Sequence, residues 1–154
     1  MPLVLTSAAF VDGAPIPVRH TRLGENIAPP LSWTGAPADT KSFALILEDP
    51  DAPRGTFRHW GVYNVAAEPS GLSESSDAAP GGGPRFCKND FGNARYDGPQ
   101  PPKGHGVHHY HFSLAALNVP SLSLPSSPGI EAMWKEAKKH AIANASLIGT
   151  FELA

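Results

Sequence analysis

The sequence predicts a mostly β fold in which short strands are joined by many turns. Proline and glycine are abundant, with 17 and 15 residues among 154, and apolar segments rich in β-branched and aromatic residues lie between them. Only one segment, near the carboxyl end, repeats its apolar residues at three- and four-residue steps, as a helix does. We expect a single domain over residues 1–154, which is long enough to bury a core.

The first half of the chain supplies most of the predicted strands. Residues 10–18 indicate a strand, a turn at Asp12-Gly13 and a second strand. Residues 31–33 form a short extended piece after an irregular loop. Residues 40–49 and 58–65 are predicted as longer strands, because both are rich in β-branched and aromatic side chains.

The second half begins with a long stretch without periodicity. Residues 66–104 include the proline- and glycine-rich run 80–84, and a loop of this length inside a domain usually carries function. Residues 107–117 predict another strand. A final strand is expected over residues 146–153, where Gly149 marks a bulge.

One helix is predicted, over about residues 128–143. Its apolar residues recur at helical spacing, and lysines lie near its end, where cations suit the helix dipole. Ser127 is the expected N-cap, and Pro128 the expected first helical residue. The helix would pack its apolar side on the sheets and expose its lysines.

Composition and charge exclude several classes of protein. Twelve Lys and Arg against 14 Asp and Glu give a formal net charge of −2. This charge does not indicate binding to nucleic acid or to an anionic membrane. No apolar run could span a bilayer, and the first residues do not predict a signal peptide. The single cysteine, Cys87, excludes an intrachain disulfide. We expect a cytoplasmic protein with no nucleic-acid partner and no integral membrane association.

The most distinctive motif is Asp-Pro-Asp-Ala-Pro at 49–53. Proline fixes its own φ and pushes the preceding residue into extended backbone, so two acids sit on a stiff corner after a strand. Strand parity places Asp49 at the end of an apolar row that contains Leu47. His108 and Tyr110 begin the apolar row of strand 107–117. If these rows face one core, their polar groups converge at its rim.

Other histidines lie near this corner in the sequence. By parity, His59 shares a face with Tyr63 and Val65, so a third strand places a polar group at the rim where these rows would converge. His109 and His111 fall on the opposite face of their strand and are expected at solvent or at an edge. His105 lies in the glycine-rich approach to that strand, and its role stays open.

Two aspartates, two histidines and a tyrosine are compatible with three chemistries. A metal site would use carboxylate and imidazole ligands, although the spacing matches no metal signature. Acid–base hydrolysis lacks a recognisable nucleophile, since there is no Gly-x-Ser-x-Gly motif and no motif around Cys87. Recognition of a phosphate or carboxylate would use protonated histidines, a tyrosine hydroxyl and loop N–H groups.

Several separated motifs, in this order, resemble those of the phosphatidylethanolamine-binding protein family. They cover essentially the whole chain and are most similar to the bacterial and archaeal branch, often named Raf kinase inhibitor-like. The resemblance implies a large antiparallel sheet packed on a smaller one, with one or two peripheral helices. The motifs lie at Gly24–Trp33, Asp49–Pro53, His59-Trp60, Asn89–Gly92 with Tyr96, Gly98–Gly104 and His108–Phe112.

The resemblance also implies a small anion-binding pocket. Its histidines would donate to the anion, and its aspartates would orient the imidazoles and favour their charged forms. No catalytic residue, metal ligand or cofactor is assigned. The polar lining would be Asp49, Asp51, His59, His108 and Tyr110, and the walls would be Pro53, Trp60, Gly98 and Pro101.

We therefore expect a binding protein rather than an enzyme. Its ligand would be a small anion: phosphate, a phospholipid head group or a carboxylate. Eukaryotic family members bind lipid head groups or phosphorylated partners and inhibit kinases, so a regulated protein partner stays open, as does a homodimer. Two alternatives remain, namely a hydrolase that uses the same pocket and a protein-interaction module whose pocket is vestigial.

Overall fold

The computed structural model describes residues 2–68, 70–74 and 84–154. Within them lie eight strands, one 3₁₀ turn at Val18–His20 and one α-helix, α1, at Ile130–Lys138. The strands are β1 Val4–Thr6, β2 Leu31–Thr34, β3 Ser42–Asp49, β4 Phe57–Ala66, β5 Gly71–Leu72, β6 Arg85–Phe86, β7 His108–Leu117 and β8 Ala141–Phe151.

The strands form a five-stranded antiparallel sheet packed on a three-stranded one. The larger sheet has the order β6-β4-β3-β7-β8, and the smaller has the order β1-β2-β5. Strand β3 is central and buried on both faces, which explains its nearly continuous apolar sequence. The expected mostly β architecture, with a large sheet on a small one and a peripheral helix, is confirmed.

Two apolar clusters hold these layers together. The inner cluster lies between the sheets and includes Trp33 of β2 with Leu45 and Phe112 of the large sheet. The outer cluster packs α1 on the other face of the large sheet and includes Ile46 and Met133. Helix α1 is therefore amphipathic, and its buried side packs on β3, β4 and β7.

The helix is shorter than the predicted 128–143. Ser127 has a φ of +48°, a left-handed conformation that does not continue into a helix, and Gly129 is the N-cap instead. The Pro128 carbonyl accepts a hydrogen bond from the Lys88 N–H at 3.0 Å. Residues 141–143 belong to β8, which begins five residues before the predicted 146. Ala141 packs against the outer cluster from a strand, so its apolar spacing was mistaken for helical period.

The predicted hairpin at residues 10–18 is wrong, although its turn exists. The Ala14 N–H donates to the Val11 carbonyl at 2.9 Å, and Gly13 has a φ of +85°. The segment does not pair with itself, because it lies along the edge of β8: the Ile16 N–H donates to the Thr150 carbonyl at 2.8 Å.

Gly149 does not mark a bulge in β8. It pairs in regular register with Tyr110, and the register shift between β7 and β8 lies at Ala116/Leu117. A Cβ at position 149 would collide with the side chains of Ile16 and Phe10. The glycine is therefore explained by close packing of the amino-terminal segment.

Strand β4 carries two irregularities that decide where its side chains point. Leu47 pairs with Trp60 and Glu48 pairs with Arg58, so His59 is an extra residue in the ladder. A second shift lies between Val62 and Val65, where Asn64 has a φ of +58°. Tyr63 consequently joins the outer cluster while Val65 joins the inner one. The expectation that His59, Tyr63 and Val65 share one face is wrong.

The long loop at 66–104 is interrupted by two short strands, β5 and β6. Residues 80–83 of its proline- and glycine-rich run lie outside the described residues. The other strand predictions, at 31–33, 40–49, 58–65 and 107–117, are confirmed with small changes at their ends.

Candidate functional site

A cavity of about 100 Å³ lies at one end of the large sheet. Strand β3 ends there, and β4 and β7 begin there, so the polar groups of three strands meet at the rim of the inner cluster. The residues that line it are Asp49, Phe57, His59, Phe91, Gln100, Pro101, Pro102, His108 and Tyr110. Strand parity predicted the convergence of Asp49, His108 and Tyr110.

A buried acid–imidazole pair forms one wall of the cavity. His108 Nδ1 lies 2.6 Å from Asp49 Oδ2, and the two side chains are only 1% and 4% exposed. The other carboxylate oxygen, Oδ1, accepts the N–H of Asp51 at 2.8 Å. The stiff corner after β3 therefore fixes the Asp49 carboxylate, which in turn fixes the ring of His108.

His59 is held in a different way from the one expected. Its Nδ1 donates to the Asp97 carbonyl at 2.9 Å, and its ring packs edge-on against Phe57, Phe91 and Tyr110. Burial lowers the pKa of His59, although the Asp97 carbonyl and the Asp49 carboxylate act in the opposite direction. The ring is therefore neutral near pH 7 and leaves Nε2 as an acceptor. The lowered pKa disagrees with the expectation of a charged His59, and the group that orients the ring is the Asp97 carbonyl rather than an aspartate carboxylate of the 49–53 corner.

The Tyr110 hydroxyl is buried and makes no hydrogen bond of regular geometry within the described residues, although the Asp49 carboxylate lies close to it. Burial raises the pKa of this phenol, and the Asp49 carboxylate raises it further, so the hydroxyl keeps its proton. A buried hydroxyl without a regular hydrogen bond normally costs stability. Its position on the wall of a cavity makes it a donor for a bound molecule.

A buried carboxylate organises the loops behind the cavity. Asp97 accepts hydrogen bonds from the side-chain amides of Asn26, Asn89 and Asn93, each at 2.9 Å. Burial alone would raise the pKa of Asp97, but these hydrogen bonds and Arg95 outweigh it, so that the pKa is lowered. Two loop segments, the one that carries Asn26 and the one at residues 89–97, are thus tied together at the residue whose carbonyl orients His59. This network was not predicted, because its central contact joins residues 71 positions apart in the chain.

Asp51 does not line the cavity. Its Oδ2 accepts the N–H of His109 at 2.7 Å and lies 2.8 Å from His109 Nδ1, in a pair whose side chains are 41% and 52% exposed. Hydrogen bonds from His109 lower the pKa of Asp51. The expectation that Asp51 orients a pocket imidazole is therefore not met, because its partner is on the outer face of β7.

The predicted wall residues divide into those at the cavity and those behind it. Pro101 lines it, whereas Pro53 is exposed on the corner after β3. Trp60 is buried in the inner cluster against Tyr96, with ring centroids 5.2 Å apart. Gly98 is also behind the wall, where its N–H donates to Asn26 Oδ1 at 2.7 Å and the His20 carbonyl leaves no space for a Cβ.

Four further residues line the cavity: Gln100 and Pro102 belong to the 98–102 loop expected at its rim, whereas Phe57 and Phe91 were not predicted. Phe57 and Phe91 pack against each other with centroids 4.7 Å apart. Gln100 accepts a hydrogen bond from Arg22 at 3.0 Å, and the Arg22 guanidinium lies 4.0 Å from the centre of the Phe91 ring. Pro102 completes the rim. Phe91 and residues 98–102 lie within motifs that carry the family resemblance, and those motifs could have indicated that these residues are close to the site.

Neither metal ligation nor membrane insertion is indicated by the described part of the chain. Across residues 2–68, 70–74 and 84–154, no three His, Cys, Asp or Glu side chains gather closely enough to share a metal ion. In the same ranges, no helix has the length and apolar character needed to cross a bilayer.

Comparison with known proteins agrees with this architecture. The model of the phosphatidylethanolamine-binding protein family matches residues 6–152. A UPF0098 protein of Aquifex aeolicus is 42% identical over 149 residues, which cover 95% of this chain and 86% of that protein. A UPF0098 protein of Methanothermobacter thermautotrophicus is 41% identical, with 96% and 97% covered. The crystal structure of Escherichia coli YbcL, described as a member of the mammalian PEBP family, superposes with a TM-score of 0.93, at 30% identity and with all of both chains covered. The chain therefore belongs to the phosphatidylethanolamine-binding protein family.

Proposed function

We propose that this protein binds a small anion in the cavity at the end of the large sheet. The observation that carries the proposal is the buried His108–Asp49 pair beside the Tyr110 hydroxyl, which makes no hydrogen bond of regular geometry within the described residues. Two donors then face one small space: the Tyr110 O–H and, when protonated, His108 Nε2. A phosphate-like group or a carboxylate offers acceptors of matching size and charge.

The walls favour an anion that keeps one proton. His59 is a neutral acceptor, so it suits a ligand hydroxyl such as that of a hydrogen phosphate or a phosphate monoester. Phe57, Phe91 and Pro101 give the cavity apolar walls, and an apolar surrounding strengthens the hydrogen bonds made inside it. A phospholipid head group fits this proposal only through its phosphate.

The site supports binding better than turnover. None of the lining residues is a serine, threonine or cysteine. Cys87 is buried in the outer cluster, and burial raises the pKa of its thiol to about 12, so it is a poor nucleophile. A hydrolase would need water activated by the His108–Asp49 pair, and this remains the second candidate. A cytoplasmic location and a regulated protein partner complete the proposal, the former supported by the single cysteine.

The test is calorimetric titration with phosphate and with acetate at pH 6 and pH 8. Acetate stays a monoanion over this range, so any change in its affinity reports the protein. We expect both anions to bind more tightly at pH 6, because His108 must carry a proton to donate. His108→Ala should abolish binding, and Tyr110→Phe should weaken it about tenfold, the value of a hydrogen bond to a charged group.

His111→Ala is the matched control, because it removes an imidazole from the outer face of the same strand. Absence of binding at millimolar anion would overturn the proposal. Release of product from a phosphoester, dependent on His108, would instead support the hydrolase.

A further inference from the structure

His105 contacts the site but does not line the cavity. Its Nδ1 lies 2.6 Å from His108 Nε2, and the two ring centroids are 4.8 Å apart. Because Asp49 occupies Nδ1 of His108, Nε2 is the only other ring nitrogen with which His108 could hold an anion. His105 therefore occupies the nitrogen that the proposed function requires.

The side chain of His105 is exposed, while its backbone is held. The His105 N–H donates to the Pro102 carbonyl at 3.1 Å, and the Gly104 N–H donates to the Leu153 carbonyl at 2.7 Å. The flanking glycines, Gly104 and Gly106, have φ angles of +75° and +94°. The imidazole can thus leave His108 by rotation of its own side chain into solvent, without a rearrangement of the loop.

The protonation states of His105 and His108 determine when this contact can form. A hydrogen bond between His108 Nε2 and His105 Nδ1 needs one proton between the two nitrogens. His108 keeps its Nδ1 proton toward Asp49, so a second proton makes it an imidazolium that donates through Nε2. If His105 is protonated as well, both facing nitrogens carry hydrogens and the contact becomes repulsive. Full protonation both charges His108 and frees the nitrogen that would bind an anion.

We propose that His105 competes with the anion for His108 Nε2, and that protonation of both imidazoles releases this block. The inference rests on the proposed anion site and assigns its regulation. Among the titratable groups near the pair, the Asp49 carboxylate is in direct contact with His108, and the Tyr110 ring stacks on it. Asp51, just after β3, acts on His108 only at a distance, since its own hydrogen bonds are with His109. On the other packed elements, His59 of β4 lines the same cavity, Lys103 lies on the loop of His105, and Glu152 precedes Leu153, whose carbonyl accepts the Gly104 N–H.

Two substitutions separate a competitor from a ligand donor. His105→Ala removes the block, so acetate and phosphate should bind about tenfold more tightly at pH 7.5, a factor that corresponds to about 1.4 kcal/mol. The difference from the wild type should be smaller at pH 5.5, because a lower pH favours protonation of both imidazoles and so favours release of the block. His105→Asn places an amide at the position of Nδ1 and cannot titrate, so its affinity should stay low at both pH values. His111→Ala should behave as wild type.

A measurement without ligand tests the contact itself. Nitrogen chemical shifts of the imidazoles should show coupled titration of His105 and His108 in the wild type and a simple curve for His108 in His105→Ala. Independent titration, or unchanged or weaker anion binding in His105→Ala, would overturn the competition while leaving the anion site intact. Coupled titration with no anion bound by either protein would refute the anion site, and the competition with it.

Discussion

The corner after β3 carries two acid–imidazole pairs that differ mainly in burial. Asp49 and His108 are almost fully buried with a 2.6 Å contact, whereas Asp51 and His109 are about half exposed with a 2.8 Å contact. The acids are two residues apart and the histidines are neighbours in β7. Successive residues of a strand point to opposite faces, so one pair enters the inner layer and the other meets solvent.

Residue type and spacing therefore do not by themselves define the site. In water the exposed pair is screened and contributes little, because each group is already solvated. The buried pair has lost its hydration, so each partner depends on the other. The buried pair lines the cavity and can therefore transmit its charge to a molecule bound there.

The largest expected effect is loss of the Asp49 carboxylate. Asp49→Ala leaves His108 buried without its partner, and breaking a buried pair costs about 3–5 kcal/mol. Chemical denaturation monitored by circular dichroism would measure this loss. Asp49→Asn keeps the volume and one acceptor, so it should be folded yet fail to bind acetate. A loss below about 1 kcal/mol in Asp49→Ala would show that the buried pair resembles the exposed one.

An intermediate effect is expected from pH. The pKa of His59 is lowered in the folded state, so folding excludes a proton that the unfolded chain takes up. The free energy of unfolding should therefore be highest above about pH 6.5 and fall as the pH drops below it, by at most about 1.4 kcal/mol per pH unit for this one group. Urea titrations at several pH values measure the slope.

His59→Asn sharpens that measurement, because its amide can still donate to the Asp97 carbonyl but cannot titrate. The slope below pH 6.5 should become flatter in this variant and stay unchanged in His111→Ala. An unchanged slope in His59→Asn would contradict the buried, neutral state of His59. Asp51 should not contribute in this range, because hydrogen bonds from His109 lower the pKa of Asp51 and its contribution is lost only at more acidic pH.

The smallest expected effect is loss of the exposed pair. Asp51→Ala should lower the free energy of unfolding by less than about 1 kcal/mol, and the loss should diminish at high salt. Acetate affinity should change by less than about twofold, because Asp51 does not line the cavity and acts on His108 only at a distance. Denaturation and calorimetry at low and high salt provide the comparison. A loss of binding as complete as that of Asp49→Asn would show that Asp51 does belong to the binding site.

Parity and periodicity could predict the parts of the site that regular strands carry. Asp49, His108 and Tyr110 lie on uninterrupted rows of β3 and β7, so their convergence was readable from alternation alone. His59 does line the cavity, but Tyr63 was assigned to the wrong face, because irregularities in β4 change the face of the residues that follow and no residue type indicates where they occur. The Asp97 network was invisible for another reason: it joins segments about 70 residues apart.

The fold shows the same division between local and tertiary information. Long strands were predictable because each buries its own apolar face. The end of the helix was not, because residues 141–143 satisfy a helical period and a strand equally well. The segment at 10–18 was misassigned because its alternation serves packing on β8 rather than pairing within a hairpin.

The seating of residues 13–16 on β8 bears on the order in which the molecule can form during synthesis. Gly13 and Ile16 donate to the Ile148 and Thr150 carbonyls, and Thr150 donates back to Ala14, across a separation of more than 130 residues. Ile16 packs where Gly149 leaves room. The amino-terminal segment therefore has no place to dock until β8 has left the ribosome. Completion of this sheet edge must therefore follow the emergence of β8, whatever the order in which the central strands assemble.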